Sequence, residues 1–328
     1  MCALSTQIYT DLDALLKTYS DMQKAQLFGS VLRVAFHDAG EFSLLTSSTD
    51  KLGPDGCLSL TPDNAGLIES TKIVSTIIQP WWQRHCALGI SRGDFWTLLA
   101  KAVTERSAAL GGATVSVAFY FGRKDALVCD AGAGRLPSAS ATSASATQAS
   151  LLAGMGLTTS DVVTLLGAHS VGHAHPTHSG FGSPSLNASL LESNAWDQTP
   201  HILDNQYFVR LVTHPWNVVP STTSTKQFYA DLGSKGHLML NPDMALAFQI
   251  GANVPPLQAG AVIQGKCGGA GNKCARTAST QALIDSYIAS NSAFVSAFAA
   301  AMTKMSNVGY SYGTVTSGKL GSLSPMTC

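Results

Sequence analysis

The fold is indicated most clearly by one stretch, Leu32-Arg33-Val34-Ala35-Phe36-His37-Asp38-Ala39-Gly40. Around it, from Asp21 to Ala39, apolar residues recur every three or four positions, which predicts an amphipathic helix. Arg33 and His37 are four residues apart, so the helix directs both side chains into one pocket. A lone histidine here would be read as a packed core residue. A buried cation without a carboxylate on its face costs several kcal/mol, however, so we expect an anionic or peroxidic ligand between the two.

The composition is that of a large folded chain. Of its 328 residues, 45% are apolar and 12% are charged, whereas a disordered chain would show the opposite balance. Twenty basic and twenty acidic residues cancel, so the chain lacks the basic surplus that binding to nucleic acid requires. The uncharged stretch between Arg106 and Arg123 is too short and too interrupted by glycine to span a bilayer.

Helical patterns dominate the rest of the chain, and the predicted fold class is mainly α. Further helices are expected from Pro62 to Pro80, from Ser91 to the glycines at 111 and 112, from near Thr158, and over roughly Thr280–Lys304. Strand signals are poor except over Thr114–Phe121. The low-complexity run Ser138–Ser150 predicts a surface crossing between two helical lobes.

Two more segments carry chemistry. Leu165-Leu166-Gly167-Ala168-His169-Ser170-Val171-Gly172-His173 places His169 on an apolar helix face, where it is either a packed residue or an axial ligand to haem iron. Leu238-Met239-Leu240-Asn241-Pro242-Asp243 holds a carboxylate with no cation nearby in sequence. Such a carboxylate can accept the second ring proton of a ligating histidine.

These segments together resemble the plant, fungal and bacterial haem peroxidase superfamily over roughly Leu12 to Met302. Arg33-x-x-Phe36-His37-Asp38, Gly134-Arg135-Leu136-Pro137, Gly167-Ala168-His169-Ser170-Val171-Gly172 and Asp204-Asn205-Gln206-Tyr207-Phe208 stand in family order. The resemblance implies one peroxidase domain with haem b between two helical lobes. The distal lobe would be residues 1–137, the proximal lobe 138–305, and residues 306–328 a C-terminal tail.

The resemblance also implies the roles of the distal residues. His37 looks like the acid/base that moves a proton between the oxygens of hydrogen peroxide, and Arg33 would stabilise the charge that develops there. Asn64 matches the family asparagine that fixes the tautomer of the distal histidine. By itself Asn64 would be read as a residue of a turn or helix start. Phe36, beside the histidine, is similar to the secreted branches of the family, because the intracellular branch usually has Trp there.

On the proximal side, His169 is the implied iron ligand and Asp243 its hydrogen-bond partner. Trp196 lies eight residues before Asp204, where the intracellular branch places a Trp against the proximal histidine. This Trp is either a core aromatic or a site that holds a radical.

Three residues resemble positions that contact the haem edge. His175 aligns with a family position that contacts a haem propionate, and we expect the neighbouring His173 and His178 to be exposed to solvent; zinc or copper binding by the three is the alternative. Arg135 and Pro137 resemble residues that line the edge where small phenols dock.

Two calcium sites are implied by the resemblance. The proximal set is Ser170, Asp197, Thr199, the carbonyl of Ile202, and Asp204, which are oxygen ligands suited to Ca²⁺. The distal set is Asp38, Gly53 and Asp55. In the distal set Cys57 stands where the family has a serine ligand, so we expect that site to be altered and Cys57 to be a candidate for the unpaired thiol.

The function implied is the reduction of hydrogen peroxide coupled to one-electron oxidation of small phenolic or aromatic donors through ferryl intermediates. The specialised donor sites for ascorbate, manganese and lignin-type substrates are absent. The alternatives are an enzyme similar to cytochrome c peroxidase, which takes electrons from a redox protein through a Trp196 radical, and a haem-binding sensor or carrier without turnover. We expect a monomer.

Seven cysteines favour an oxidising compartment, and with it secretion over an intracellular location. Cys267 and Cys274 are the one pair that spacing suggests. Asn187-Ala188-Ser189 is a glycosylation sequon.

Overall fold

The computed structural model describes most of the chain. The described residues are 1–47, 49–69, 72–129, 135–141, 143–183, 190–220, 227–230, 236–250, 263–267, 274–316 and 318–326. The sequon at 187–189 and Gly134 lie outside these ranges. No helix within them is both long enough and apolar enough to cross a membrane.

The fold is mainly α, which confirms the predicted class. The helices are α1 (Cys2–Thr18), α2 (Asp21–Gly40), α3 (Gln79–His85), α4 (Arg92–Leu110), α5 (Ala144–Met155), α6 (Thr159–Leu166), α7 (Pro176–Ser179), α8 (Gln206–Thr213), α9 (Asn241–Ala247), α10 (Ala278–Ala289) and α11 (Asn291–Ser306). Turns of 3₁₀ helix cover Pro62–Asn64, Cys86–Leu88 and Gly167–Ser170, and a π-helical turn covers Val74–Ile78.

Helix α2 forms where the periodicity predicts it. Its start is fixed by Ser20, whose hydroxyl accepts the Gln23 N–H at 3.3 Å while the Gln23 side chain accepts the Ser20 N–H at 2.9 Å. Leu27, Phe28 and Val31 are buried, and the helix packs against α4. The apolar stripe of α2 therefore faces the core.

The starts of two other helices also agree with the sequence. Ser91 accepts the Asp94 N–H at 3.1 Å before α4, and Thr158 accepts the Asp161 N–H at 3.2 Å before α6. In both helices the hydroxyl satisfies a backbone donor that the first turn leaves without an intrahelical partner.

Three helix predictions need correction. The helix expected from Pro62 to Pro80 does not form as predicted, and Pro80 does not end a helix: it is the second residue of α3, which directly follows the π-helical turn Val74–Ile78. The helix expected over Thr280–Lys304 is two helices, with Ser290 capping α11 by accepting the Ala293 N–H at 3.2 Å. Part of the low-complexity run is helical, since α5 begins at Ala144 and alanine favours helix.

The sequence also missed a sheet. Strands β2 (Trp216–Pro220), β3 (Gln227–Ala230), β4 (Leu238–Met239) and β5 (Ile263–Cys267) form an antiparallel sheet in the order β4-β3-β2-β5. Of the strand expected over Thr114–Phe121, only β1 (Tyr120–Phe121) forms. Strands this short give too few alternating positions for a reliable pattern.

The C-terminal tail packs against the segment Phe119–Phe121. Strand β8 (Ser324–Pro325) pairs with β1, and β6 (Tyr310–Ser311) runs parallel to β7 (Gly321–Ser322). The Met326 N–H donates to the Phe119 carbonyl at 3.0 Å. The division into two lobes and a tail stays a prediction, although the tail is tied to the segment assigned to the distal lobe.

Disulfides join Cys57 to Cys129 and Cys267 to Cys274. The second is the pair that spacing suggests. The first overturns the expectation that Cys57 is the unpaired thiol; within the described ranges, that thiol is Cys86. Spacing could not show the first pair, because its cysteines are 72 residues apart.

Candidate active site

The distal side of the site is built on α2. Arg33 and His37 point the same way, and the Arg33 Nε donates to the His37 Nε2 at 3.3 Å. The other guanidinium nitrogens donate to the Ala65 carbonyl at 3.0 Å and the Asp63 carbonyl at 2.8 Å. Arg33 therefore has backbone carbonyls as partners, and no carboxylate of the described chain forms an ion pair with it. Phe36 lies edge-on to His37, with ring centroids 5.7 Å apart.

Asn64 orients the His37 ring from the 3₁₀ turn Pro62–Asn64. Its side-chain oxygen lies 2.8 Å from the His37 Nδ1, and its amide nitrogen donates to the Ser59 carbonyl at 2.9 Å. Because the Asn64 amide nitrogen is used for Ser59, its oxygen faces His37 and can only accept a hydrogen bond. The proton of neutral His37 is thereby assigned to Nδ1, so Nε2 carries no proton, accepts the bond from Arg33 and can act as a base.

The electrostatics keep His37 neutral. Burial, together with the positive charge of Arg33, lowers the pKa of His37 to about 3, although the bond to Asn64 acts in the opposite direction. Burial also lowers the pKa of Arg33 to about 10, so the guanidinium stays charged at neutral pH. The pocket thus presents a base and a fixed cation side by side.

The proximal side is built on the 3₁₀ turn Gly167–Ser170. The His169 Nδ1 lies 2.8 Å from one oxygen of Asp243, and the Trp196 indole N–H donates to the other at 2.9 Å. The imidazole and indole rings stack with centroids 4.4 Å apart and an angle of 17° between the planes. The sequence predicted that His169, Asp243 and Trp196 lie together, but it did not predict that the imidazole and indole rings stack.

Tyr207 also belongs to this group, although no sequence pattern predicted a role for it. Its hydroxyl donates to Asp243 Oδ1 at 2.7 Å, and its side chain is fully buried. Burial alone would raise the pKa of Asp243, but the charge and hydrogen bond of His169, with the bonds from Tyr207 and Trp196, hold the pKa below its usual value. The only sequence signal for Tyr207 was its place in the Asp204–Phe208 motif.

The open ring nitrogen of His169 fits a ligand of haem iron. The His169 side chain is 32% exposed although its neighbours Gly167 and Ser170 are buried, and none of the described residues hydrogen-bonds to its Nε2. An imidazole held by a carboxylate at Nδ1 and open at Nε2 is the arrangement of a metal-ligating histidine. The backbone of α2 lies close to the segment that follows His169, because a Cβ added to Gly29 would lie 2.7 Å from the Cα of Gly172.

The three histidines after the proximal turn differ in their exposure to solvent. His175 and His178 are exposed, and the Lys72 ammonium lies 2.8 Å from the His178 Nε2. Partial desolvation and the nearby positive charges lower the pKa of His175 to about 4. His173 is only partly exposed and its Nε2 lies 2.6 Å from the Leu191 carbonyl, so the expectation of solvent exposure is wrong for it.

Arg135 lies on the distal side and binds protein groups. Its guanidinium donates to the Glu41 carbonyl at 2.7 Å and forms an ion pair with Asp50. Pro137, two residues on, is partly exposed. Their contact with the haem edge stays a prediction.

The proximal calcium residues converge on the Ser170 hydroxyl. The Ser170 Oγ lies 2.9 Å from Asp197, 3.1 Å from the Ile202 carbonyl and 3.3 Å from Asp204. The Thr199 hydroxyl lies 3.2 Å from Asp204. Burial and mutual repulsion raise the pKa of Asp197 to about 8, and burial raises the pKa of Asp204. All five groups are oxygen donors. Two of them are carboxylates, and neither carboxylate makes an ion pair with another described residue.

The residues predicted for the distal calcium site are less suited to bind Ca²⁺ than those of the proximal site. Asp38 accepts the N–H groups of Gly56 and Cys57 at 3.1 to 3.2 Å, and Asp55 is buried with one oxygen unpartnered. Cys57 supplies no ligand because its sulfur is in a disulfide, and Gly53 offers only backbone. Within the described chain no group of three or more His, Cys, Asp or Glu side chains is placed to hold a metal ion. The proximal set has two carboxylates and depends on hydroxyl and carbonyl oxygens.

The chain belongs to the peroxidase family. The family model described as "Peroxidase" matches residues 8–251, a span that includes every residue of the distal and proximal groups above.

Curated relatives agree with this assignment. The chain is 31% identical over 183 residues to "L-ascorbate peroxidase 3" of Arabidopsis thaliana (56% of this chain, 55% of that protein). It is 30% identical over 225 residues to "Cytochrome c peroxidase, mitochondrial" of Aspergillus fumigatus (67% and 54%). It is 32% identical over 225 residues to the protein of the same name in Cryptococcus neoformans var. grubii (66% and 52%). The matched region spans about half the length of these relatives.

Proposed function

We propose that this protein is a haem peroxidase that reduces hydrogen peroxide and oxidises small aromatic donors by one-electron steps. The observation that carries the proposal is the pairing of two oriented histidines, His37 on Asn64 and His169 on Asp243. Bound haem would supply an iron that binds peroxide and accepts and passes on single electrons.

Four residues of the chain would have distinct roles in this reaction. His169 would hold the iron through Nε2, and Asp243 would keep its Nδ1 proton in place. On the other side, the neutral Nε2 of His37 would take a proton from hydrogen peroxide and return it to the oxygen that leaves as water. Arg33 would stabilise the negative charge on that oxygen as the O–O bond breaks.

A second candidate function is suggested by Trp196. Its ring stacks on His169 and shares Asp243 with it, which places an oxidisable aromatic directly behind the implied iron ligand. Relatives named cytochrome c peroxidase support a redox protein as donor. We nevertheless favour small neutral donors, because a chain with zero net charge offers no broad charged face for steering a basic protein.

A donor panel distinguishes the two functions. The haem-loaded protein and its Trp196→Phe variant would be assayed at fixed peroxide with guaiacol and with reduced cytochrome c. We expect turnover of guaiacol by both proteins and little turnover of cytochrome c by either. Turnover of cytochrome c that Trp196→Phe abolishes would establish the second function, and no turnover with any donor would indicate a sensor or carrier.

We also propose a calcium ion at the proximal site. The support is the convergence of Ser170, Asp197, Thr199, Ile202 and Asp204, five oxygen donors of the kind that Ca²⁺ binds. Metal analysis of the purified protein should find calcium that a chelator removes and Asp197→Asn reduces, with Asp55→Asn as the matched distal variant. Absence of calcium from the native protein, with a haem spectrum that chelation leaves unchanged, would refute the proposal.

The location we propose is extracellular. The disulfides Cys57–Cys129 and Cys267–Cys274 support an oxidising compartment. The relatives named mitochondrial favour an intracellular location instead. Detection of the native protein in the culture medium or in a cell fraction would decide between the two.

A further inference from the structure

The carboxylate of Asp243 has more hydrogen-bond partners than the orientation of His169 alone requires. Its Oδ1 lies 2.8 Å from the His169 Nδ1 and accepts the Tyr207 hydroxyl at 2.7 Å. Its Oδ2 accepts the Trp196 indole N–H at 2.9 Å and the Leu240 N–H at 2.7 Å. Tyr207 is thus the group that competes with His169 for the same oxygen.

Packing alone does not require this hydroxyl. Phe208, the next residue, is a fully buried aromatic ring without a polar atom, and it packs on Tyr207 with centroids 4.8 Å apart. Tyr207 lies edge-on to His169 at 6.2 Å, which a phenylalanine ring would also do. What the phenol adds at this position is the hydrogen bond to Asp243.

We propose that Tyr207 is a positioning residue that limits how strongly Asp243 draws the Nδ1 proton of His169. An oxygen that accepts two hydrogen bonds is a weaker acceptor for each, so the phenol leaves His169 with less imidazolate character. A more imidazolate-like ligand stabilises ferric over ferrous iron. Tyr207 therefore raises the reduction potential of the iron that His169 would hold, an inference that rests on the proposed function.

The test compares Tyr207→Phe with the matched control Tyr287→Phe. Tyr287 is a buried tyrosine whose hydroxyl contacts the Thr164 hydroxyl at 2.6 Å and which packs on the same Phe208. Each variant loses one buried phenol hydroxyl, but only Tyr207→Phe frees Asp243 Oδ1. The ferric–ferrous potential would be measured by spectroelectrochemistry on the haem-loaded proteins.

We expect Tyr207→Phe to disfavour reduction about tenfold, a shift of about 59 mV to more negative potential for a one-electron couple. Tyr287→Phe should leave the potential unchanged. The ferrous iron–histidine stretching frequency should rise in Tyr207→Phe alone. A Tyr207→Phe potential equal to that of the native protein, or a shift equally large in the control, would overturn the inference.

Failure to bind haem has a different meaning for the native chain and for Tyr207→Phe. A native chain that binds no haem would overturn the proposed function instead of this inference. Where only Tyr207→Phe fails to bind haem, the native chain labelled with 3-fluorotyrosine replaces it, because its more acidic phenol donates a stronger hydrogen bond. That protein must then show a more positive potential, and an unchanged potential would refute the role of Tyr207.

Discussion

Replacement of His37 by Ala should slow the reaction with hydrogen peroxide while haem stays bound. Proton transfer by a positioned side chain is typically worth about 10²–10⁴-fold, or about 3–5 kcal/mol of barrier. His37 is buried and held by a 2.8 Å contact with Asn64, so its ring is oriented before peroxide arrives. A loss within that range is therefore expected, because His37→Ala removes the acceptor and later donor of the proton.

Graded variants make the prediction sharper. Asn64→Val removes one hydrogen bond but keeps the imidazole, so a smaller loss of about 2- to 10-fold is expected, in line with about 0.5–1.5 kcal/mol for a hydrogen bond. The matched control is His85→Ala, since His85 is also a buried histidine but pairs with Asp11, away from the site. His85→Ala should react with peroxide at the native rate.

The pH dependence follows from the lowered pKa of His37, which is about 3. Only neutral His37 can accept a proton, so the rate constant should stay level from pH 7 to about pH 4 and fall to half near pH 3. Arg33→Leu removes a cation that lowers this pKa, so the midpoint should move to higher pH. Stopped-flow measurement of the Soret band gives these rates. A native rate constant in haem-loaded His37→Ala would refute the assignment.

Two further predictions concern Trp196 and a disulfide. Peroxide-treated protein should give an electron paramagnetic resonance signal that Trp196→Phe changes, because the indole stacks on His169 at 4.4 Å; a signal unaffected by the substitution would exclude a radical there. Cys129→Ser should lower the free energy of unfolding by about 2–4 kcal/mol, since the Cys57–Cys129 bond closes a long loop across 72 residues. Chemical denaturation measures this loss, with Cys86→Ser, at the free thiol, as the control expected to change little.

Local signals were enough for the parts of the fold that depend on neighbours in sequence. The starts of α2, α4 and α6 follow from a capping hydroxyl three residues before a backbone N–H, an arrangement confined to one turn. The Arg33 and His37 pair follows from the helical period. Resemblance to a family supplied what periodicity could not, namely the prediction that Asn64, His169 and Asp243 serve one site.

Long-range packing decided the features that the sequence missed. Strands β2 to β5 are short and reveal themselves only by pairing. Cys57 became half of a disulfide through contact with a residue 72 positions away.

The sequence by itself therefore determined the class and much of the helical frame, and it predicted the two histidines that would carry the chemistry, because each of these is written in a local pattern or a motif. Only the tertiary structure showed that Asp243 serves Tyr207 as well as His169 and Trp196, since the three donors lie 36 to 74 residues from it. Hydrogen bonds between residues so far apart depend on where helices α8 and α9 and the turn Gly167–Ser170 pack, and no local pattern encodes that.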